Sequence, residues 1–167
     1  MRTLLSFLAG ALLLCEAAQA ANLPAPSGDV ILVVTGNIEN TNKGDSAEFD
    51  MEMLESLDGL SKTLETPWTD GTTAFSGPKL RAVLEKVGAR GSKLIVKALN
   101  DYSAEVPMED AETYDTMLAT KMNGEHMSVR NKGPVFLIYP FDTNPELFNE
   151  KYFSRSVWQI REVEVVE

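Results

Sequence analysis

Apolar and polar positions follow two different periods along this chain, and each period predicts a type of secondary structure. Unbroken apolar and β-branched runs predict three buried strands, over residues 29–35, 94–99 and 134–139. The last segment, 158–166, alternates apolar and charged residues, which predicts a strand with one buried face. Its alternation slips between Ile160 and Val163, and such a slip is typical of a β-bulge.

Helical spacing of apolar residues begins at Met51, and Asp50 just before it is placed to cap a helix. The apolar pattern resumes over residues 60–64, and a turn-rich loop follows at 66–73. This part of the chain therefore predicts one capped helix, its continuation and a loop.

The strongest helical pattern covers residues 78–87, with Ser76 placed to cap the helix and Gly88 placed to end it. A weaker pattern covers 110–116, and Asn123 followed by glycine predicts a tight turn. The elements together predict an α+β fold: a single mixed, largely β domain with a few helices.

Residues 1–20 have the pattern of a secretory signal peptide. Arg2 supplies the positive start, and an apolar run covers residues 4–14. Ala18 and Ala20 place small residues at the positions that a signal peptidase requires. We expect cleavage after residue 20 and export to the periplasm.

Cleavage would remove Cys15, the only cysteine of the chain. Residues 21–28, with two prolines, are then predicted to form a flexible lead-in to one domain, 29–167. The mature protein would hold no thiolate-bound metal and no disulfide.

The net charge of −10 limits the classes of partner. Nucleic acid is not expected as a partner, because phosphate binding needs clustered lysine and arginine. Direct insertion into a membrane is not expected either, since no segment after the predicted signal peptide is apolar over a sufficient length.

The sequence contains no recognisable catalytic motif. Its single histidine, His126, has no nearby second nitrogen or sulfur ligand, so we predict no metal site. A nucleophile elbow and a glycine-rich phosphate loop are both absent, and no pair of carboxylates is distinguished as an acid–base couple. We therefore predict no catalytic residue.

Aromatic and charged residues instead gather in predicted loops and at strand ends. Such residues are the ingredients of a pocket for a flat, polar, heteroaromatic ligand. Each also has a purely structural explanation, such as a loop tryptophan that covers one end of a core. The candidate binding residues are Trp68, Asp101, Tyr102, Arg130, Lys132, Arg155 and Trp158.

Four segments in order resemble the oxidoreductase molybdopterin-binding domain, the catalytic fold of sulfite oxidase. They are FSGPKLRAVLEKVGA, LIVKALNDYSAEVPMEDA, MNGEHMSVRNKGPVFLIYP and SRSVWQIREVEV, within a matching run of roughly residues 50–165. Family members show a tryptophan-containing loop, an aromatic-glycine pair, an L-x-x-L-L helix and a D-G-Y segment. An N-G-E turn and a G-P strand ending in proline follow. The order and spacing of these motifs carry the resemblance.

Two departures from the family matter. The family's molybdenum enzymes bind the metal through a cysteine thiolate before the first conserved helix. In that region this chain has no cysteine. It offers hydroxyl side chains, which are poor substitutes for a soft ligand: Thr66, Thr69, Thr72, Thr73 and Ser76. Phe136 also stands where the enzymes commonly carry arginine, which weakens binding of a phosphate or an anionic substrate.

The resemblance then implies a pterin pocket without molybdenum, as in small exported proteins of this fold that bind reduced pterins. Those proteins partner the periplasmic domain of a transmembrane diguanylate cyclase or phosphodiesterase and relay pterin levels to cyclic-di-GMP signalling. We expect the same non-enzymatic function here. Two alternatives stay open: a molybdenum-cofactor-dependent oxidoreductase with another ligand, and a ligand-free periplasmic interaction domain of the same fold.

Overall fold

The computed structural model describes residues 23–167, and the predicted signal peptide with Cys15 lies outside them. Within these residues the strands are β1 (Leu32–Gly36), β2 (Ala47–Phe49), β3 (Gly59–Glu65), β4 (Thr72–Pro78), β5 (Lys93–Ala98), β6 (Ser103–Pro107), β7 (Met117–Ala119), β8 (Lys121–Met122), β9 (Glu125–His126), β10 (Phe136–Ile138) and β11 (Ile160–Val166). The helices are α1 (Met51–Glu55), α2 (Leu80–Val87), α3 (Met108–Thr113) and α4 (Glu150–Arg155). The predicted α+β fold, largely β with a few short helices, is confirmed.

The main sheet has five strands in the order β2-β1-β11-β5-β6. β1 lies parallel to β11, and the other neighbours are antiparallel. The apolar runs predicted as strands form β1, which begins only at Leu32, and β5. The register of β11 on β5 shifts between Ile160 and Glu162, so the predicted bulge is confirmed.

A second layer contains the four-stranded sheet β3-β4-β8-β9 and the antiparallel pair β10-β7. β4 passes close to β7 at Gly77, where a Cβ atom would collide with the carbonyl oxygen of Leu118, so only glycine fits. Asn123 and Gly124, both with positive φ (52° and 84°), form the predicted tight turn between β8 and β9.

Helix α1 begins as predicted, because the Asp50 carboxylate accepts a hydrogen bond of 2.9 Å from the Met53 amide. The expected continuation of the helical pattern over residues 60–64 is wrong: this segment is strand β3. Leu60 and Leu64 are four residues apart, and that spacing places side chains on one face of a strand as well as of a helix.

The prediction of Ser76 as the cap of helix α2 is also wrong. Ser76 pairs with Ser61 of β3 and Lys121 of β8, so its backbone belongs to the β4 ladder. Lys79 precedes the helix without a side-chain capping bond, and Gly88 ends the helix as predicted, in the left-handed conformation with φ 62°.

The weaker helix is shorter and earlier than residues 110–116 predicted. α3 begins at Met108, directly after Pro107, whose fixed φ suits the residue before a helix, and ends at Thr113. A further short strand, β7, then takes Met117, which the apolar pattern alone did not distinguish.

The chain before β1 packs against the domain. Leu23 is buried in the hydrophobic core, and the amides of Ser27 and Gly28 donate to the Asp50 carboxylate at 2.7 and 2.9 Å. The described end of the predicted lead-in is thereby fixed to the start of α1. None of the helices in residues 23–167 has the length and apolar character that crossing a membrane requires.

Candidate functional site

One cavity of about 350 Å³ opens where the β5–β6 turn, the β3–β4 loop, α4 and the start of β11 meet. Its volume lies within the range of small-molecule sites. Ten residues line it: Trp68, Ala98, Asn100, Tyr102, Glu150, Phe153, Ser154, Ser156, Val157 and Trp158. Three of them are the aromatic residues that the sequence analysis selected from three separate segments.

Trp68 forms one wall and is held by the polar loop around it. Its amide donates to the Thr66 hydroxyl at 3.3 Å, and that hydroxyl lies 2.8 Å from the hydroxyl of Thr69. The indole packs edge-to-face on Phe136 and Phe153, with ring centroids 5.4 and 5.7 Å away. Trp68 is therefore both part of the cavity wall and part of the core.

Tyr102 forms a second wall from the β5–β6 turn and is 47% exposed. Its amide donates to the side-chain oxygen of Asn100 at 3.2 Å, and its hydroxyl donates to the Ser154 carbonyl at 2.8 Å. Asp101, with φ 65°, makes the turn that brings Tyr102 into this position. The hydroxyl bond ties the turn to the end of α4.

Trp158, two residues before β11, forms a third aromatic wall. Its ring packs edge-to-face on Trp68 and Phe136, at centroid distances of 5.8 and 6.1 Å. The Lys132 ammonium lies 4.9 Å from its ring centroid, a cation–π contact. Phe136, at the position where arginine was expected for the enzymes, is thus buried between the two tryptophans.

Arg155 forms an ion pair with the buried carboxylate of Asp110. Its guanidinium lies 2.9 Å from Asp110, which also accepts a 2.6 Å hydrogen bond from the Tyr139 hydroxyl. Burial and this bond raise the pKa of Tyr139 well above its ordinary value, so Tyr139 remains a donor. The network anchors α4, from which several lining residues come, onto α3 and the end of β10.

The seven predicted site residues are thus divided. Trp68, Tyr102 and Trp158 line one cavity, and Lys132 contacts the third of them. The other three are not among the lining residues. Arg155 pairs with Asp110, and Arg130 is exposed in a 3-10 turn. Asp101 has an 87% exposed side chain and lies 3.4 Å from Arg161.

Sequence reasoning missed the polar lining residues Asn100, Glu150, Ser154 and Ser156. Three of them lie in or next to α4, a helix of six residues with no repeated apolar period. The available signal was Asn149, whose side chain accepts from the Lys151 amide at 3.0 Å and caps the helix.

His126 lies away from this cavity, on β9. Its Nε2 is 2.8 Å from Glu55, whose second carboxylate oxygen is 3.2 Å from the Lys121 ammonium. Burial raises the pKa of Glu55, but the hydrogen bonds from His126, Lys121 and Thr120 outweigh burial and lower it overall. These contacts connect α1 to the β8–β9 hairpin.

Residues 45–166 match the family described as the oxidoreductase molybdopterin binding domain. The chain belongs to this family. Among solved structures it is similar in fold to the sulfane dehydrogenase SoxCD from Paracoccus pantotrophus, with a TM-score of 0.61 and 21% sequence identity. The similarity covers 83% of this chain but only 38% of the SoxCD chain, so the domain spans well under half of that protein. No curated protein matches the chain.

The residues of this family domain do not fit a thiolate-bound molybdenum. Cysteine is absent from residues 23–167, and no group of three histidine, cysteine or carboxylate side chains within them could hold a metal ion. In the corresponding region the hydroxyls of Thr66 and Thr69 bond to each other at 2.8 Å, and a neutral hydroxyl is a hard ligand. The aromatic walls and the polar lining do fit the pterin part of the cofactor.

Proposed function

We propose that this protein is an exported, non-enzymatic pterin-binding domain that holds a reduced pterin without molybdenum and relays pterin levels to a transmembrane cyclic-di-GMP enzyme. The observation that carries this proposal is the cavity walled by Trp68, Tyr102 and Trp158 in a molybdopterin-binding domain without a cysteine among residues 23–167. Membership of the family supports a pterin as the ligand class, and the lack of a thiolate among residues 23–167 supports binding without molybdenum.

The cavity suits a flat bicyclic ring. Four aromatic side chains, those of Trp68, Tyr102, Phe153 and Trp158, contribute to its walls, and base-like rings stack on such side chains regardless of their substituents. Polar atoms of Asn100 and Glu150 lie on the same lining and supply hydrogen-bonding partners for the ring edge.

The charge of the lining argues against an oxyanion substrate. Glu150 is the one charged residue among the ten that line the cavity, and its carboxylate repels anions. Lys132 and Arg155 are directed to Trp158 and Asp110 instead. A neutral ring with N–H donors suits this lining better than a phosphate or a sulfur oxyanion does.

Ligand identity is tested on protein purified anaerobically from the periplasm. We expect a pterin to be released on denaturation and to fluoresce after oxidation, and added tetrahydropterin to give binding heat with the ligand-free protein. Tyr102→Ala, which removes an exposed wall outside the core, should lower this affinity by about 1 to 3 kcal/mol. Absence of both a co-purifying pterin and binding heat would show that the ligand assignment is wrong.

Membership of the family favours a second candidate, a molybdenum-dependent oxidoreductase with another ligand to the metal. Elemental analysis of the same purified protein separates the two. Molybdenum in a one-to-one ratio with protein would replace our proposal by this second candidate, and we expect none above background.

Export and signalling need their own tests. Amino-terminal sequencing of the periplasmic protein should begin at Ala21. Deletion of the gene should change cellular cyclic-di-GMP, and the wild-type gene should restore the level whereas Tyr102→Ala should not. Unchanged cyclic-di-GMP after deletion would favour the third candidate, a ligand-free interaction domain.

A further inference from the structure

The hydroxyl groups around the cavity have already used their hydrogens inside the protein. The Ser154 hydroxyl donates to the Lys151 carbonyl at 2.8 Å, and the Ser156 hydroxyl donates to the Tyr152 carbonyl at the same distance. Tyr102 donates to the Ser154 carbonyl, also at 2.8 Å. A hydroxyl carries one hydrogen, so these three groups offer a ligand only acceptor lone pairs.

The remaining polar side chains of the lining have different capacities. The Asn100 oxygen accepts from the Tyr102 amide, which leaves its NH₂ group as a donor. The Glu150 carboxylate takes part in none of the ion pairs within residues 23–167 and is acceptor-only when ionised. The lining therefore combines one charged, two-oxygen acceptor with an amide donor.

We propose that Glu150 selects the ligand by accepting two parallel hydrogen bonds from a 2-amino-pyrimidin-4-one edge, with Asn100 donating to the neighbouring 4-oxo group; this inference rests on the proposed pterin function. The edge presents an amino donor, a ring N–H donor and a carbonyl acceptor in that order. A carboxylate matches the two donors in the geometry of a bidentate pair, which is stronger than neutral hydrogen bonding. Glu150 is a specificity-determining residue in this assignment.

The same lining should reject a ring whose edge differs at one position. In a lumazine, an oxo group replaces the 2-amino group, so the edge becomes acceptor, donor, acceptor. One Glu150 oxygen would then face a carbonyl oxygen and lose its partner, which costs more than the absence of a bond alone. Discrimination between these two rings is therefore the property that Glu150 controls.

The test compares tetrahydropterin and tetrahydrolumazine by anaerobic calorimetry, at a pH where both rings are neutral. Wild-type protein should bind the pterin about 10- to 100-fold more tightly, the range of a hydrogen bond to a charged group. Glu150→Gln should weaken pterin binding about tenfold and leave lumazine binding unchanged or stronger, because an amide can donate to the 2-oxo group. Discrimination should then fall nearly to unity.

A matched control is Glu52→Gln. Glu52, like Glu150, is an exposed glutamate in the first turn of a short helix with a side-chain cap, but it lies outside the cavity. We expect both affinities to stay at wild-type values in this variant. If Glu150→Gln still binds pterin and prefers it over lumazine as strongly as the wild type does, the role of Glu150 is overturned while the pterin function stands. Wild-type protein that binds neither ring would overturn the pterin function and this inference together.

Discussion

Replacing Trp68 by alanine should destabilise the fold as well as weaken ligand binding. The indole packs edge-to-face on Phe136, Phe153 and Trp158, at centroid distances of 5.4, 5.7 and 5.8 Å. Each such pair contributes about 0.5 to 1.5 kcal/mol beyond burial, so three pairs account for about 3 kcal/mol. Fully buried tryptophans lose about 3 to 5 kcal/mol on truncation to alanine, and Trp68 is only half-buried. We therefore expect the free energy of unfolding to fall by about 3 kcal/mol.

Urea unfolding followed by far-ultraviolet circular dichroism measures this loss, because fluorescence would report the removed indole itself. The slope of the transition should stay at its wild-type value, so that a lower midpoint reports stability alone. A loss below about 1 kcal/mol would refute the reasoning, since it would show that the aromatic contacts of Trp68 contribute little to the fold.

Tyr102→Ala separates stability from binding at the same cavity. Tyr102 is 47% exposed, and its side chain donates one hydrogen bond, from the hydroxyl to the Ser154 carbonyl. Its truncation should cost only about 1 kcal/mol of stability, the net value of one hydrogen bond. We expect both variants to bind tetrahydropterin more weakly, and only Trp68→Ala to lose much stability.

Two further predictions concern buried and capping carboxylates. The pKa of Asp50 is lowered to about 2, foremost by the hydrogen bond from the Met53 amide, so wild-type stability should decline as the pH falls from about 4 to 2. In Asp50→Asn the urea midpoint should fall less steeply with pH than in the wild type. An equally steep fall in both proteins would contradict the assignment of this pH dependence to Asp50. Asp110→Ala should lower the free energy of unfolding by about 3 kcal/mol, because Arg155 is left without its buried partner. Glu109→Ala, an exposed neighbour in α3, is the control, and equal losses would argue against the buried pair.

The parts of the fold that the sequence predicted have a strong local cause. β5 is a continuous apolar run, and Gly88 and Asn123 occupy positions that require positive φ. β8 and β9 have two residues each, too few for any apolar period, and they exist because β8 pairs with β4. Ser76 illustrates the same limit, since pairing with distant strands decided its conformation against a local capping preference.

The candidate site was predictable to the extent that residue type alone signals a role. Trp68, Tyr102 and Trp158 are unusual in loops, and the fold brings them to one cavity. The cations Lys132 and Arg155 could not be placed, because their partners, a ring and a buried carboxylate, depend on tertiary packing. Because these two cations bind to Trp158 and Asp110 and do not line the cavity, the charge on the lining is that of Glu150 and not the positive charge that was expected.

We expect three separate features of the site to disfavour both anions and metal ions. Where the resemblance places the thiolate, this chain has hydroxyl side chains, and those of Thr66 and Thr69 bond to each other. Phe136 fills the space between two tryptophans at the position where arginine was expected. Glu150 then places a negative charge on the lining, and repulsion of an anion by this carboxylate is not offset by any cation among the lining residues. A cavity that had lost only its metal ligand would still have cations on its lining. The ten lining residues include no cation, which supports a cavity suited to a neutral, donor-rich ring.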